Sequence, residues 1–332
     1  MSISTVSRSF NHPGQVKAAT RKKIDRAVRR LGYIRNRAAQ TMHGIRSGTI
    51  GLVVPTIDNT IFAEMIQSFS SAVEAEGFTL LIASHGYDLE REYAALRKFL
   101  EHRVDGVALI GHDHSRETYQ LLDRQEIPAL SIWNYDPASR LSCVGADNRA
   151  AGRLAAEHLM TLGHRRIGLI FPPVSDNDRA RDRSDGARAA LAAAGIRVPA
   201  AWELESPYSL AEAKNAVQAL LTCSECPSAL LCGNDVLAMG AIYAAQHLNV
   251  PVPGALSVIG IGDFRGSSEM EPPLSTVRLP ARRIGRQAGQ ELARTIVQQG
   301  SEPVRINCEI ELVARGTCAR SGSASPPEPG AT

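Results

Sequence analysis

No run of about 18 or more apolar side chains occurs in the 332 residues, so no segment has the length that a membrane-spanning helix requires. The opening Met1-Ser2-Ile3-Ser4-Thr5 also lacks the apolar stretch of a secretory signal, and the chain is expected to be soluble and cytoplasmic, with no membrane partner. Cysteine is sparse: Cys143, Cys223, Cys226, Cys232, Cys308 and Cys318 are scattered as reduced thiols are, not spaced as a disulfide framework. Cys223 and Cys226 form a lone CxxC, without the second pair or spaced histidines of a zinc site and without a thioredoxin-like context. A nucleophile elbow, a Walker loop and an HExxH helix are all missing. Gly260, Gly262 and Gly266 miss the spacing of a dinucleotide fingerprint, and the adjacent His112-Asp113-His114 is poorly suited to converge on one ion. No catalytic residue, metal site or cofactor is therefore expected, and the chain reads as a non-enzyme.

What is present is a charge asymmetry. Residues 1 to 48 hold eleven Lys or Arg against one acid, Asp25, a net +10; with a total of +3, the remainder carries −7. A concentrated basic segment is the electrostatic signature of a polyanion partner, because each neutralised phosphate releases counterions. With 44% apolar residues, the rest of the chain can build large cores.

Ile24, Ala27, Val28 and Leu31 recur at helical spacing and Gly32 follows as a stop, which predicts a short amphipathic helix over 20–31. Ahead of it, 4–10 forms a further turn or two before the turn-like Asn11-His12-Pro13-Gly14. The body alternates strands (50–54, 79–83, 106–110, 129–132, 167–171, 229–232, 256–260) with helices (61–76, 89–102, 116–124, 187–194, 211–221, 236–248). Buried strands between amphipathic helices imply α/β lobes built on parallel sheets with right-handed crossovers. The Ser-, Pro- and Gly-rich residues 319–332 read as a disordered tail.

Ser4-Thr5-Val6-Ser7-Arg8-Ser9-Phe10-Asn11, followed by Thr20-Arg21 and Leu31-Gly32-Tyr33-Ile34-Arg35-Asn36, resembles the second and third helices of a LacI-family (lactose and galactose repressor) headpiece. The resemblance implies a helix-turn-helix over 1–35 whose second helix enters the major groove, with Ile3, Ser4 and Arg8 at base edges and Thr5, Ser7 and Gln15 among the DNA contacts. The family pattern sets another helix ahead of this segment, where Met1 falls; a start codon assigned too far downstream is the expectation, with a true truncation as the alternative. Asn36-Arg37-Ala38-Ala39-Gln40-Thr41-Met42 resembles the family's hinge helix within 36–48, implying contacts from Asn36 and Ala39 and a minor-groove wedge at Met42.

The resemblance continues through a periplasmic-binding-protein-like core, with one lobe at 49–145 plus 277–304 and the other at 146–276 plus 305–318. Carried over by position, it implies an effector site from Asn59, Ile61, Phe62, His114 and Trp133 of the first lobe and Arg183, Tyr208, Asn234 and Asp263 of the second. Asp235 is read first as structural, at the start of a helix. Many family members carry an acid where this chain has Gly262, and the Gly262-Asp263 pattern is nearest to the gluconate-operon repressor branch. Fewer acids with Arg183 retained favour an anionic ligand. The expected function is a homodimeric, operator-binding transcriptional regulator controlled by a sugar or sugar acid. The alternative is a sugar-binding protein without DNA-binding activity.

Overall fold

The computed structural model describes residues 2–11, 13–33, 46–298 and 302–322. They fall into two units, Met1–Ser47 and Gly48–Thr332. In the first unit, α1 (Ile3–Asn11) and α2 (Ala18–Leu31) are joined by a 3-10 turn at Pro13–Gln15. Ser2 opens α1 by accepting a hydrogen bond from the Thr5 amide at 3.2 Å. Gly32 ends α2 in the left-handed region, with φ at 60°, and the Tyr33 amide closes the turn by donating to the Val28 carbonyl at 3.1 Å. Ile24 is buried on one face of α2, while Arg21, Lys22, Arg26 and Arg29 stay exposed.

The second unit carries two six-stranded sheets. The first contains β1 (Thr49–Val54), β2 (Thr79–Ser84), β3 (Gly106–Ile110), β4 (Ala129–Asn134) and β5 (Ser142–Ala146). The second contains β6 (Ile167–Phe171), β7 (Glu203–Glu205), β8 (Ala229–Cys232), β9 (Ser257–Gly262) and β10 (Ser275–Arg278). Late in the chain, β11 (Arg305–Asn307) joins the first sheet beside β5 and β12 (Glu311–Val313) joins the second beside β10. The orders are β11-β5-β4-β3-β1-β2 and β12-β10-β9-β8-β6-β7, and every pairing is parallel except β10 with β12. Helices α3 (Thr60–Ala75), α4 (Leu89–Glu101), α5 (Arg116–Gln125), α6 (Asn148–Thr161), α7 (Asp178–Ala193), α8 (Leu210–Leu221), α9 (Asp235–His247) and α10 (Ala281–Gln298) make the crossovers and cover the faces. Central strands such as β3, β6 and β8 are buried at every residue, as a sheet covered on both faces demands. Each Val or Leu so buried contributes about 1.5–3 kcal/mol. No helix among the described residues is long and apolar enough to cross a membrane.

Two expectations change. The chain passes between the sheets after β5, after β10 and after β11, so 277–278 belong to the second sheet and 305–307 to the first, and the crossings fall a few residues later than the expected boundaries at 277 and 305. Short edge strands take their place from backbone pairing, which apolar periodicity does not report. In addition, α7 begins at Asp178 rather than near 187, because Asn177 caps it by accepting from the Ala180 amide and its first turns are polar but buried.

Helices α6 and α7 approach each other closely. A Cβ on Gly152 would lie 1.9 Å from the Arg183 carbonyl oxygen, and one on Gly186 would lie 1.9 Å from that of Arg149. Only glycine at both positions lets the two helix backbones touch, and that contact holds the carbonyl of Arg183 against α6.

Candidate functional site

A cavity opens between the sheets, lined by residues that follow the carboxyl ends of the strands. Asn59 caps α3 by accepting from the Ile61 amide at 3.3 Å, which sets Ile61 and Phe62 as the first apolar side chains of the first-lobe wall. Trp133, near the end of β4, completes that wall with its ring centroid 5.0 Å from that of Phe62. Its φ of 86° is rare for a bulky residue and turns the indole toward the cavity. Tyr87, also at positive φ, meets Tyr208 of the second lobe with ring centroids 6.0 Å apart.

The second-lobe wall is polar. Asn234 spends its Oδ1 on capping α9, accepting from the Leu237 amide at 3.0 Å, and Nδ2 makes no protein hydrogen bond among the described residues. Arg179 and Arg183 lie one turn apart on α7, each 5% exposed. Arg179 is neutralised by Asp178, 2.7 Å from its Nη1, and also donates to the Ile110 carbonyl. Arg183 donates through Nε to Asn148 Oδ1 at 2.7 Å and through Nη1 to the Gly233 carbonyl at 2.9 Å. Neither acceptor is charged, and Nη2 has no protein partner among the described residues. Burial holds the Arg183 guanidinium below its ordinary value. For Asp178, burial pushes the carboxyl up, but Arg179, Asn134 and the His112 amide outweigh it and hold the group below the usual range.

The family described as bacterial regulatory proteins, lacI family, matches residues 1–36, and a periplasmic binding protein-like domain matches residues 156–318. The chain is 30% identical over 314 residues to the HTH-type transcriptional regulator GntR of Pseudomonas aeruginosa, covering 94% of this chain and 90% of the relative. The chain belongs to the lacI family. It is 31% identical to the transcriptional repressor PurR of Aliivibrio fischeri, over 96% of this chain and 95% of that one. The lac repressor dimer bound to operator and an anti-inducer superposes with a TM-score of 0.84 at 26% identity, covering 96% of both chains. As a lacI-family member with regulators as its relatives, the chain is a DNA-binding transcriptional regulator and not an enzyme.

Of the residues expected at a lacI-family effector site, the cavity brings together Asn59, Ile61, Phe62, Trp133, Arg183, Tyr208 and Asn234. Two are elsewhere. His114 is buried in the first lobe, with Nδ1 at 2.9 Å from Glu92 and Nε2 at 3.0 Å from the Gly111 carbonyl, because the Glu92 carboxylate draws the ring away from the cleft. Asp263 faces a neighbouring recess and is held by Arg278 and Arg315, each at 2.7 Å. Gly262 borders the same recess. With φ at +140°, a Cβ there would sit 2.2 Å from the Phe264 ring, so Phe264 takes the space that a larger side chain would need.

Tyr87, Arg179, Phe264 and Leu279 line the cavity without having been expected. The signal for Arg179 lay in its place one helical turn before Arg183, visible only once α7 is known to start at Asp178. In the headpiece, Ser4, Ser7 and Arg8 are exposed on α1, Thr5 is half-buried, and Gln15 is exposed at the end of the 3-10 turn. Ile3 opens α1 as a backbone position only. Asn36, Ala39 and Met42 lie outside the described residues. His112 and Asp113 are occupied by protein partners: the His112 ring lies 3.0 Å from the Asn134 carbonyl, and Asp113 pairs with Arg181 at 2.7 Å.

Proposed function

We propose that this regulator works as a cytoplasmic homodimer that grips a pseudo-palindromic operator, and that a small polyhydroxylated anion of the sugar-acid class in the cavity sets its affinity for that operator. The observation that carries the reading is Arg183: a buried guanidinium with two neutral acceptors and no carboxylate. A buried cation costs several kcal/mol unless an anion offsets it, and a carboxylate matches the guanidinium fork. Phe62, Trp133, Tyr87 and Tyr208 supply faces for the apolar side of a sugar ring or chain, while Asn234 Nδ2 and Arg183 Nη2 supply donors. On DNA, Arg8 on α1 suits a bidentate contact with guanine, with Ser4, Thr5, Ser7 and Gln15 beside it and Ile3 against base edges. Asn36, Ala39 and the Met42 wedge complete the interface on this reading. The ligand's differential affinity for two lobe arrangements would supply a coupling of about 1–3 kcal/mol.

The test is a selection of genomic DNA fragments retained by the full chain, followed by titration with salt, gluconate and glucose. Sequence-specific retention that falls steeply with salt, and that gluconate but not glucose shifts by about 5–150-fold, is expected. Retention without sequence preference, or an equal response to both compounds, would overturn the reading.

A further inference from the structure

Arg183 is held by one end of a chain of buried amides. Its Nε donates to Asn148 Oδ1 at 2.7 Å; Asn148 Nδ2 donates to Asn134 Oδ1 at 2.9 Å and to the Ala146 carbonyl at 3.2 Å. Asn134 Nδ2 then donates to Asp178 Oδ2 at 2.9 Å and to Asp182 Oδ2 at 2.8 Å. Asp178 Oδ2 also accepts from the His112 amide at 2.8 Å, and Asp113 pairs with Arg181 at 2.7 Å. Asn134 ends β4 in the first lobe, Asn148 opens α6 after the first crossing between lobes, and the two acids and Arg183 are on α7 of the second. The asparagines are 2% and 1% exposed, so each amide group must find its partner inside the protein.

The chemistry gives this chain a single direction. Two carboxylate oxygens face one end of Asn134, so that end is the donating NH₂ and the other is the accepting oxygen. Asn148 must therefore donate to Asn134, which turns its own oxygen toward Arg183. Reversing either amide would set oxygen against oxygen at one end and N–H against N–H at the other. The cap of α6 is supplied by Asp147, which accepts from the Ala150 amide at 2.7 Å, so Asn148 is not needed for that task.

We infer that Asn148 is the positioning residue of Arg183, and that Asn148 and Asn134 form an oriented relay through which a movement of that guanidinium reaches the lobe-to-lobe contacts of Asp178 and Asp182. The relay gains its functional meaning from the reading of Arg183 as the anion-binding group, but its geometry can be tested without any ligand. A side chain whose Nε is tied at 2.7 Å presents the outer edge of its fork to the cavity in one orientation, which lowers the ordering cost of binding. Displacing the guanidinium pulls first on Asn148, at the crossing, and then on Asn134, whose two bonds to α7 span the lobes.

The experiment uses the full chain labelled with ¹⁵N at arginine Nε, the Arg183 signal being identified by its loss in Arg183→Lys. A protected, slowly exchanging Nε–H is expected in the native protein. Asn148→Asp keeps the acceptor for Arg183 Nε, with its second oxygen against Asn134 Oδ1, so it should keep the signal while breaking the next link of the relay; Asn148→Leu and the smaller Asn148→Ala remove the acceptor and should lose the signal. Two variants without the acceptor keep the test decisive if one fails to fold. Persistence of the signal in Asn148→Leu or Asn148→Ala, or an equal loss in Asn148→Asp, would overturn the proposal. A second readout separates it from the reading of the cavity. Asn148→Asp places a carboxylate against Arg183, so gluconate affinity should fall by about tenfold or more while glucose affinity is unchanged. Failure of the native protein to bind gluconate would count against the sugar-acid reading alone, with the Nε–H result still deciding the relay.

Discussion

Two charged side chains are buried a short distance apart in the sequence of second-lobe elements, and they are treated oppositely. Asp235, fully buried at the start of α9, accepts from Thr276 Oγ1 at 2.6 Å, Ser267 Oγ at 2.7 Å and the Phe264 amide at 2.8 Å. Burial holds its carboxyl above the usual range, and these three donors offset only part of that rise. Its bonds staple the segment after β9 onto α9, so the structural reading of this residue holds, while Asn234 caps the helix. Arg183 has two neutral acceptors and leaves part of its fork unmatched. A charge whose capacity is filled by the protein holds the fold together. One whose capacity is left open marks where something else binds.

The largest effect that sharpens this contrast is on stability. Asp235→Ala strands three buried donors and should cost about 3–5 kcal/mol in urea denaturation, whereas Arg183→Ala should change the ligand-free stability by no more than about 1 kcal/mol. Equal losses would erase the distinction between the two sites. A smaller loss, about 1–3 kcal/mol, is expected from Gly186→Ala, because its Cβ must push α7 off the Arg149 carbonyl, and the same separation should weaken effector binding. Unchanged melting and binding would mean that the α6–α7 contact does not position Arg183.

The smallest effect comes from acid. Burial holds His85, His158 and His164 below the ordinary value of 6.5. The unfolded chain takes up protons at these rings near that value and the folded chain only at lower pH, so their contribution is fully present above 6.5 and is lost as pH falls through it. Melting temperature should therefore decline as pH is lowered from about 8 to about 5.5. A flat profile would contradict the buried neutral state of these histidines.

Continuous apolar runs were legible in the sequence: Gly106–Ile110, Ile167–Phe171 and Ala229–Cys232 form strands over the expected residues because both faces of the sheet are covered. The first half of α7 was not legible. Asp178, Arg179, Asp182 and Arg183 show no apolar periodicity, since they turn toward the cavity and the first lobe, where charge and hydrogen bonding replace apolar burial. Most of the aromatic and polar lining was legible through family resemblance, but His114 and Asp263 were not. Their directions are fixed by Glu92 and by Arg278 and Arg315, partners distant in sequence. The three-residue strands β7, β11 and β12 exist through pairing and carry no pattern of their own.

The most direct test of the open charge is a calorimetric titration of the protein with gluconate and with glucose, repeated on Arg183→Ala. Gluconate should bind the native protein at least about tenfold more tightly, as charge-assisted hydrogen bonds worth about 1.5–3 kcal/mol require, and Arg183→Ala should abolish the difference while sparing glucose. Tighter binding of glucose by the native protein, or a gluconate preference that survives Arg183→Ala, would contradict the account.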